Sequence, residues 1–386
     1  MVRSLGGGGM ERVVTALAAG FAARGHQTTL LVGVADGALT DAVTEPVPLV
    51  PLHAASQLRA RAWALAADPS GAPAMLPLLL GAAPRMLRHL PGLVHRLRTE
   101  RPDVLLTAGT QSNLTALWAQ RFAGITTRVV ISEHNTLSAV AAHAKRRFRR
   151  AYPVLARRNY GRADAIIAVS KGVADDLSRT AGIPRQRIIT IYNPVVSAEL
   201  LAKARAPLDH PWLTAGAPPV VLGVGRLHRA KDFPNLIRAF ARVRAVQPAR
   251  LVILGDGEER AKIETLSRSL GVAADVALPG YAENPFAWMA RASVFVLCST
   301  WEGFGNVLVE ALACGCPVVS TDCPHGPAEI LDGGTFGPLV PVGDDRALAD
   351  AILAVLRKPV SPNRLRARAA MCDRDTSVNR YLDVLI

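Results

Sequence analysis

Short apolar runs of strand length alternate with helical patterns through most of the chain, and this rhythm constrains the fold more than any other feature. A first series occupies residues 28–32, 103–107, 128–132, 165–169 and 188–191. A second occupies 219–224, 250–254, 276–278, 293–297 and 317–320. Several runs are β-branched and apolar on both faces, as strands are when helices cover both sides of a parallel sheet. The intervening helical patterns supply the crossovers, which predicts an α/β fold.

Residues 193–219 break the rhythm with Pro194, Pro207, Pro211, Pro218 and Pro219 and no strand pattern. A domain boundary is placed there, giving an N-terminal Rossmann-like domain over 1–195 and a second over 196–365. A last segment, 366–386, is read as a helix that packs back on the first domain. Each half opens with a glycine-rich turn leading into a helix: Gly6–Gly9 before a helix over 11–23, and Gly223-Val224-Gly225-Arg226 before one over 234–246. Two such halves facing one another would form a central interdomain cleft between the carboxyl ends of their strands. Only five residues precede Gly6. The strand that should lead into that turn is therefore very short, or the true start lies upstream of Met1.

Half of the 386 residues are hydrophobic and 5% are aromatic, which describes an ordered globular protein. The formal charge of +14 asks for an anionic partner. Its densest cluster is Lys145, Arg146, Arg147, Arg149 and Arg150, followed by Arg157, Arg158 and Arg162. A solvated helix face is one reading and an anionic membrane surface another, at about 1 kcal/mol per basic residue. Nucleic acid ranks below both, because no recognised nucleic-acid module is present. Leu90, Leu93, Val94 and Leu97 share a helical face beside Arg88, Arg96 and Arg98, which suits a packed helix or an interfacial membrane helix.

The apolar stretch 63–84 contains Asp68 and is broken by Pro69, Pro73 and Pro77, so it does not qualify as a bilayer span. No secretory signal is recognised. The odd set of Cys298, Cys314, Cys316, Cys323 and Cys372 argues against a disulfide framework and for a reducing compartment. Their spacing matches no usual zinc pattern, so buried thiols are expected and no metal site is assigned. A cytoplasmic location, peripheral on the inner face of the cytoplasmic membrane, follows.

Three segments carry chemistry. Gly6–Gly9 can aim backbone N–H groups at an anion, yet Glu11 stands where a dinucleotide fingerprint needs its third glycine. In the segment 225–232, Arg226 and Lys231 lie just beyond a buried strand, where two cations could hold a diphosphate and stabilise its departure. The strongest signal is Glu302-Gly303-Phe304-Gly305-Asn306-Val307-Leu308-Val309-Glu310. It places Glu302 in a loop and Glu310 about two turns into a helix, where both carboxylates can accept from the hydroxyls of a polyol. The glycines open the helix N-terminus to phosphate or sugar oxygens.

These residues carry a resemblance. The chain resembles family 4 of the retaining glycosyltransferases, which has the GT-B fold of two facing Rossmann-like domains. Nearly the whole length takes part: the glycine run with Glu11-Arg12-Val13-Val14, Arg24-Gly25-His26, Ser170-Lys171-Gly172-Val173, Ile191-Tyr192-Asn193-Pro194, Gly225-Arg226, Lys231-Asp232, Gly255-Asp256-Gly257 and the E-x7-E pair Glu302 and Glu310. The resemblance implies that Glu302 contacts the transferred sugar and Glu310 the ribose, while Arg226 and Lys231 bind the donor diphosphate. It implies that Gly7, Gly8 and Gly9 close over the donor from an N-terminal acceptor-binding domain. His134, after an apolar strand, would position sugar and acceptor, and Gly280 and Tyr281 would lie at the nucleobase. Phe304, Gly305 and Asn306 complete the donor-binding set in the second domain.

The implied donor is a nucleotide-diphosphate sugar, with no cofactor and no metal. Asp373-Arg374-Asp375 is read as an accidental D-x-D. The segment 320–330 resembles a subgroup acting on cell-surface polysaccharides and lipid-linked oligosaccharides, which suggests a glycan or lipid-linked acceptor. Two rivals are a nicotinamide-dependent oxidoreductase, disfavoured by the failed fingerprint, and a non-catalytic sugar-nucleotide or membrane-binding partner in a glycan assembly complex.

Overall fold

The computed structural model describes residues 1–34, 46–73, 75, 84–144, 146–214 and 216–386. Lys145 and part of the apolar stretch 63–84 lie outside the described residues. The chain divides into two compact units, one of Met1–Pro194 with Arg374–Ile386 and one of Val195–Asp373.

In the first unit β1 (Leu30–Val32) pairs with β2 (Leu49–Pro51), and β3 (Val104–Ala108), β4 (Arg128–Glu133), β5 (Ala165–Ala168) and β6 (Ile188–Thr190) follow in that order. Every pair is parallel. The strand expected before the glycine run is present in minimal form. Val2 forms a parallel bridge with Val32. On its other side the Met1 amino group donates to Leu106 O at 2.6 Å, and Ala108 N–H donates to Met1 O. Met1 and Val2 thereby join the two sheets. Burial lowers the Met1 amino group to a pKa of about 5.

The second unit holds β7 (Val220–Val224), β8 (Arg250–Leu254), β9 (Val276–Gly280), β10 (Val294–Leu297), β11 (Val318–Thr321) and β12 (Leu339–Val340). Their order is β12-β11-β10-β7-β8-β9, again all parallel. Read from the other edge this is the doubly wound order, with its topological switch between β7 and β10. The ten anticipated runs all become strands, with ends shifted by a residue or two. Neither β2 nor β12 was anticipated, because three residues among prolines and two residues alone carry no readable pattern.

The domain limit expected at residue 366 needs correction. Residue 366 falls inside the helix Pro362–Ala369, which stays with the second unit. Arg366 donates to Cys314 O, and Arg368 donates to Ile330 O and Glu329 O, so carbonyls at helix ends hold this segment in place. The chain leaves after Cys372, whose carbonyl accepts from both Val195 and Val196.

Only the helix Arg374–Leu385 rejoins the first unit. There Val378, Tyr381 and Leu385 pack with Val13, Leu17 and Phe21 of the helix Gly9–Ala22. Arg24 bonds Asp375 and Asn379, and Arg128 donates to the terminal carbonyls Val384 O and Leu385 O. Leu17→Ala hollows this seam and is expected to cost about 2–5 kcal/mol, read from denaturant unfolding.

Candidate active site

In the second unit, the loops after β7 and β10 meet at the switch point. Lys231 Nζ lies 2.5 Å from Glu302 Oε1, with side-chain exposures of 22% and 14%. The same carboxylate oxygen accepts from Ser299 Oγ at 2.7 Å. Burial pulls the Lys231 ammonium down, but the Glu302 carboxylate outweighs it and holds the group above the usual lysine range. The backbone fixes both loops: Thr300 N–H donates to Ala230 O at 2.8 Å, and Cys298 Sγ to Lys231 O at 2.9 Å. Arg229 stacks over Trp301 at 5.8 Å. The Arg226 side chain is exposed and has no ion-pair partner among the described residues.

Gly255-Asp256-Gly257 explains how Arg226 is presented. Gly225 N–H donates to Leu254 O, and Leu227 N–H to Asp256 O. A Cβ on Gly255 would collide with Gly225 O, and one on Gly257 with Leu227 O, so only glycine lets the two loops approach this closely. Gly255 N–H in turn donates to Gly280 O, which aligns the carboxyl ends of β7, β8 and β9. Tyr281, the next residue, is 60% exposed.

After Glu302, Phe304 is buried and Gly305 takes φ 102°, a conformation that favours glycine, so the helix Asn306–Cys314 cannot begin earlier. Glu310 is therefore the fifth residue of that helix, one turn in and not two.

In the first unit, the carboxyl end of β4 carries Ser132, Glu133 and His134. Glu133 is fully buried. Its carboxylate accepts from Thr110 Oγ1 at 3.1 Å and Tyr160 Oη at 2.8 Å, and from the backbone amides of His134 and Asn135. Burial still outweighs these donors and raises its pKa to about 7. Asn113 Nδ2 donates to Ser132 O at 3.0 Å, so β4 and the helix Thr110–Ala123 are tied side chain to backbone. His134 is 7% exposed, its Nε2 3.0 Å from Ser132 Oγ, and burial pushes its pKa down to about 4. The glycine run leads into the helix Gly9–Ala22, which starts two residues earlier than expected, with Gly8 as its N-cap and Gly9 as its first residue. The Glu11 carboxylate folds back so closely that a Cβ on Gly8 would collide with it.

A family model described as "Glycosyltransferase Family 4" matches residues 7–199, and one described as "Glycosyl transferases group 1" matches 218–358. The N-acetylgalactosamine-N,N'-diacetylbacillosaminyl-diphospho-undecaprenol 4-alpha-N-acetylgalactosaminyltransferase of Campylobacter jejuni is 33% identical over 68% of this chain and 70% of its own. The lipopolysaccharide core biosynthesis glycosyltransferase LpsE of Rhizobium meliloti is 36% identical over 56% of this chain and 60% of its own.

The chain belongs to glycosyltransferase family 4. Among solved structures, the lipopolysaccharide outer core galactosyltransferase WaaB matches it at TM-score 0.71 and 21% identity over 100% of this chain and 99% of its own. Anabaena HepE in complex with UDP matches at TM-score 0.73 and 21% identity over 99% and 97%. Both have the GT-B fold, which this glycosyltransferase shares.

Within the second unit, the structure brings Lys231 and Glu302 together and sets Arg226, Gly280 and Tyr281 along the same strand ends. Phe304, Gly305 and Asn306 lead from Glu302 into the helix that carries Glu310. In the first unit, His134 and Gly7, Gly8 and Gly9 follow strand ends. Sequence reasoning missed Ser299, Glu133, Ser132 and Tyr381. An acid closing an otherwise apolar run was the available signal for Glu133; nothing local marked the others.

Of two expectations about the surface, the packed helix is met and the wholly solvated basic cluster changes. Leu90, Leu93, Val94 and Leu97 are buried in the helix Leu90–Glu100, against the helix Thr110–Ala123, so this glycosyltransferase has no interfacial membrane helix there. Arg158 stays exposed but pairs with buried Asp68 at 2.7 Å, and the exposed Arg157 donates to Thr180 O, so neither is an unpartnered cation. Arg146, Arg147, Arg150 and Arg162 remain exposed. All five cysteines are buried and outside any disulfide, and burial pushes Cys314 and Cys323 up to about 12. Among the described residues no group of three metal-binding side chains forms and no helix is long and apolar enough to cross a membrane.

The Glu133 shift has a testable sign. A carboxyl whose folded pKa, about 7, exceeds its ordinary 4.5 binds more protons folded than unfolded between those values. Stability present below pH 4.5 is lost as pH rises through 7, by about 3 kcal/mol if the group acts alone. Denaturant titrations across this window are expected to show that slope in the native protein and a flatter one in Glu133→Gln.

Proposed function

We propose that the chain transfers a sugar from a nucleotide-diphosphate sugar to an acceptor hydroxyl with retention of anomeric configuration. The observation that carries this reading is the Lys231–Glu302 pair between the ends of β7 and β10, the position where doubly wound sheets bind ligands. Arg226 and Lys231 take the diphosphate, joined by amides at the start of the helix Asn306–Cys314. Glu302 accepts from the hydroxyls of the sugar, Glu310 from the ribose, and Gly280 with Tyr281 borders the base. Gly7, Gly8 and Gly9 cover the donor, and His134 orients sugar and acceptor.

As the bond from the anomeric carbon to the diphosphate breaks, negative charge gathers on the leaving oxygen between fixed cations. The acceptor oxygen bonds to the same face of that carbon, and the leaving phosphate oxygen takes its proton. Cationic side chains occupy the role that a metal ion has elsewhere, and no cofactor is required.

The acceptor is a lipid-linked or other cell-envelope glycan. Relatives named for a diphospho-undecaprenol substrate and for lipopolysaccharide core biosynthesis support this class. The protein works in the cytoplasm against the inner face of the membrane, with exposed Arg146, Arg147 and Arg150 facing anionic headgroups.

Lys231→Ala and Glu302→Ala are each expected to lower turnover on a panel of nucleotide sugars by about 100-fold or more, with EDTA leaving the native rate unchanged. Native turnover in both variants would contradict the site. Neutralising Arg146, Arg147, Arg149 and Arg150 together is expected to weaken binding to anionic liposomes, at about 1 kcal/mol per residue in contact with the surface.

A further inference from the structure

Behind His134 runs a chain of hydrogen bonds that ends on the helix returning from the far end of the sequence. Alternation along β4 places Ser132 with Val130 on the face covered by the helices Gly9–Ala22 and Arg374–Leu385, and Glu133 on the opposite face. Ser132 Oγ stands 3.1 Å from Tyr381 Oη, a partner 249 residues away, and 3.0 Å from His134 Nε2. Ser132 and Tyr381 are 1% and 0% exposed.

Hydrogen counting orders this series. Burial pushes Tyr381 up to about 12 and His134 down to about 4, so near neutral pH an uncharged phenol faces an uncharged imidazole. Tyr381 Oη has no other polar partner among the described residues, so its one hydrogen is used only when it points at Ser132 Oγ. The Ser132 hydrogen then points at His134 Nε2, which must accept. A neutral imidazole that accepts at Nε2 carries its hydrogen on Nδ1. The opposite direction would leave a buried phenol hydrogen unpaired, at a cost of about 1–3 kcal/mol. His134 Nδ1 has no partner among the described residues, so its N–H remains for a ligand oxygen.

We propose that Tyr381 and Ser132 are positioning residues that hold His134 in its Nδ1–H form, making it a hydrogen-bond donor to the sugar or acceptor and not a base. The ligand part of this inference rests on the glycosyl-transfer reading; the tautomer does not. The final helix thus sets the chemistry of a side chain at the end of β4, which neither segment reveals alone.

The test is nitrogen NMR of protein labelled with 15N-histidine, with the His134 signals assigned by their loss in His134→Gln. The native ring is expected as Nδ1–H between pH 6 and 8. Tyr381→Phe keeps the packing and removes the ordering hydrogen, so the two tautomers should mix; Ser132→Ala should give the same mixture should the first variant fold poorly. Both are expected to lower kcat about fivefold with the donor KM unchanged, and the double variant should be no slower than Ser132→Ala alone. A native Nε2–H ring, or a tautomer and kcat untouched by either variant, would overturn the proposal. Absence of native turnover on every donor would remove the glycosyl-transfer reading, while the ring-nitrogen signals would still decide the role of Tyr381 and Ser132.

Discussion

Lys231 and Glu302 come within 2.5 Å because the second sheet reverses its strand order between β7 and β10. Loops that leave neighbouring strand ends at such a reversal diverge to opposite faces, and the space they leave admits a ligand. An ammonium sheltered there would ordinarily lose its proton more easily; the carboxylate beside it prevents that. The carboxylate is steadied by Ser299, and the two loops by Thr300 and Cys298 against Ala230 and Lys231 carbonyls. The pair and its backbone frame are thus one unit, and the placement of Arg226 and the helix Asn306–Cys314 follows from it.

The first unit builds a second strand-end site by different means. Its polar groups are buried on both faces of β4, with Glu133 held by Thr110 and Tyr160 on one side and Ser132 linked to Tyr381 on the other. A buried polar network of this kind is stabilising only when each member is satisfied. Its order depends on a helix donated by the end of the chain, whose register is set by Val378 and Leu385 in the apolar seam and by Arg24 and Arg128 at its margins.

Much of this was legible beforehand because buried parallel strands are continuous apolar runs, and those runs survive in one sequence without comparison. Glu302, Arg226 and Lys231 were legible because charged groups beside a buried strand need a reason. The rest depended on long-range pairing. Tyr381 reads as an ordinary helical aromatic until the fold sets it beside Ser132. Arg158 looked like one more unpaired cation because Asp68, its partner, lies 90 positions away. The depth of Glu310 in its helix was overcounted because a left-handed Gly305 delays the helix start. The first strand was doubtful because two residues, Met1 and Val2, suffice when sheets flank them.

The claim that Lys231, steadied by Glu302, grips the donor diphosphate is tested most directly by calorimetry with nucleoside mono- and diphosphates of each base. The native protein should bind one diphosphate more tightly than its monophosphate, and Lys231→Met should abolish most of that difference while leaving monophosphate binding intact. Equal affinities in the native protein, or an unaltered preference in the variant, would contradict the account.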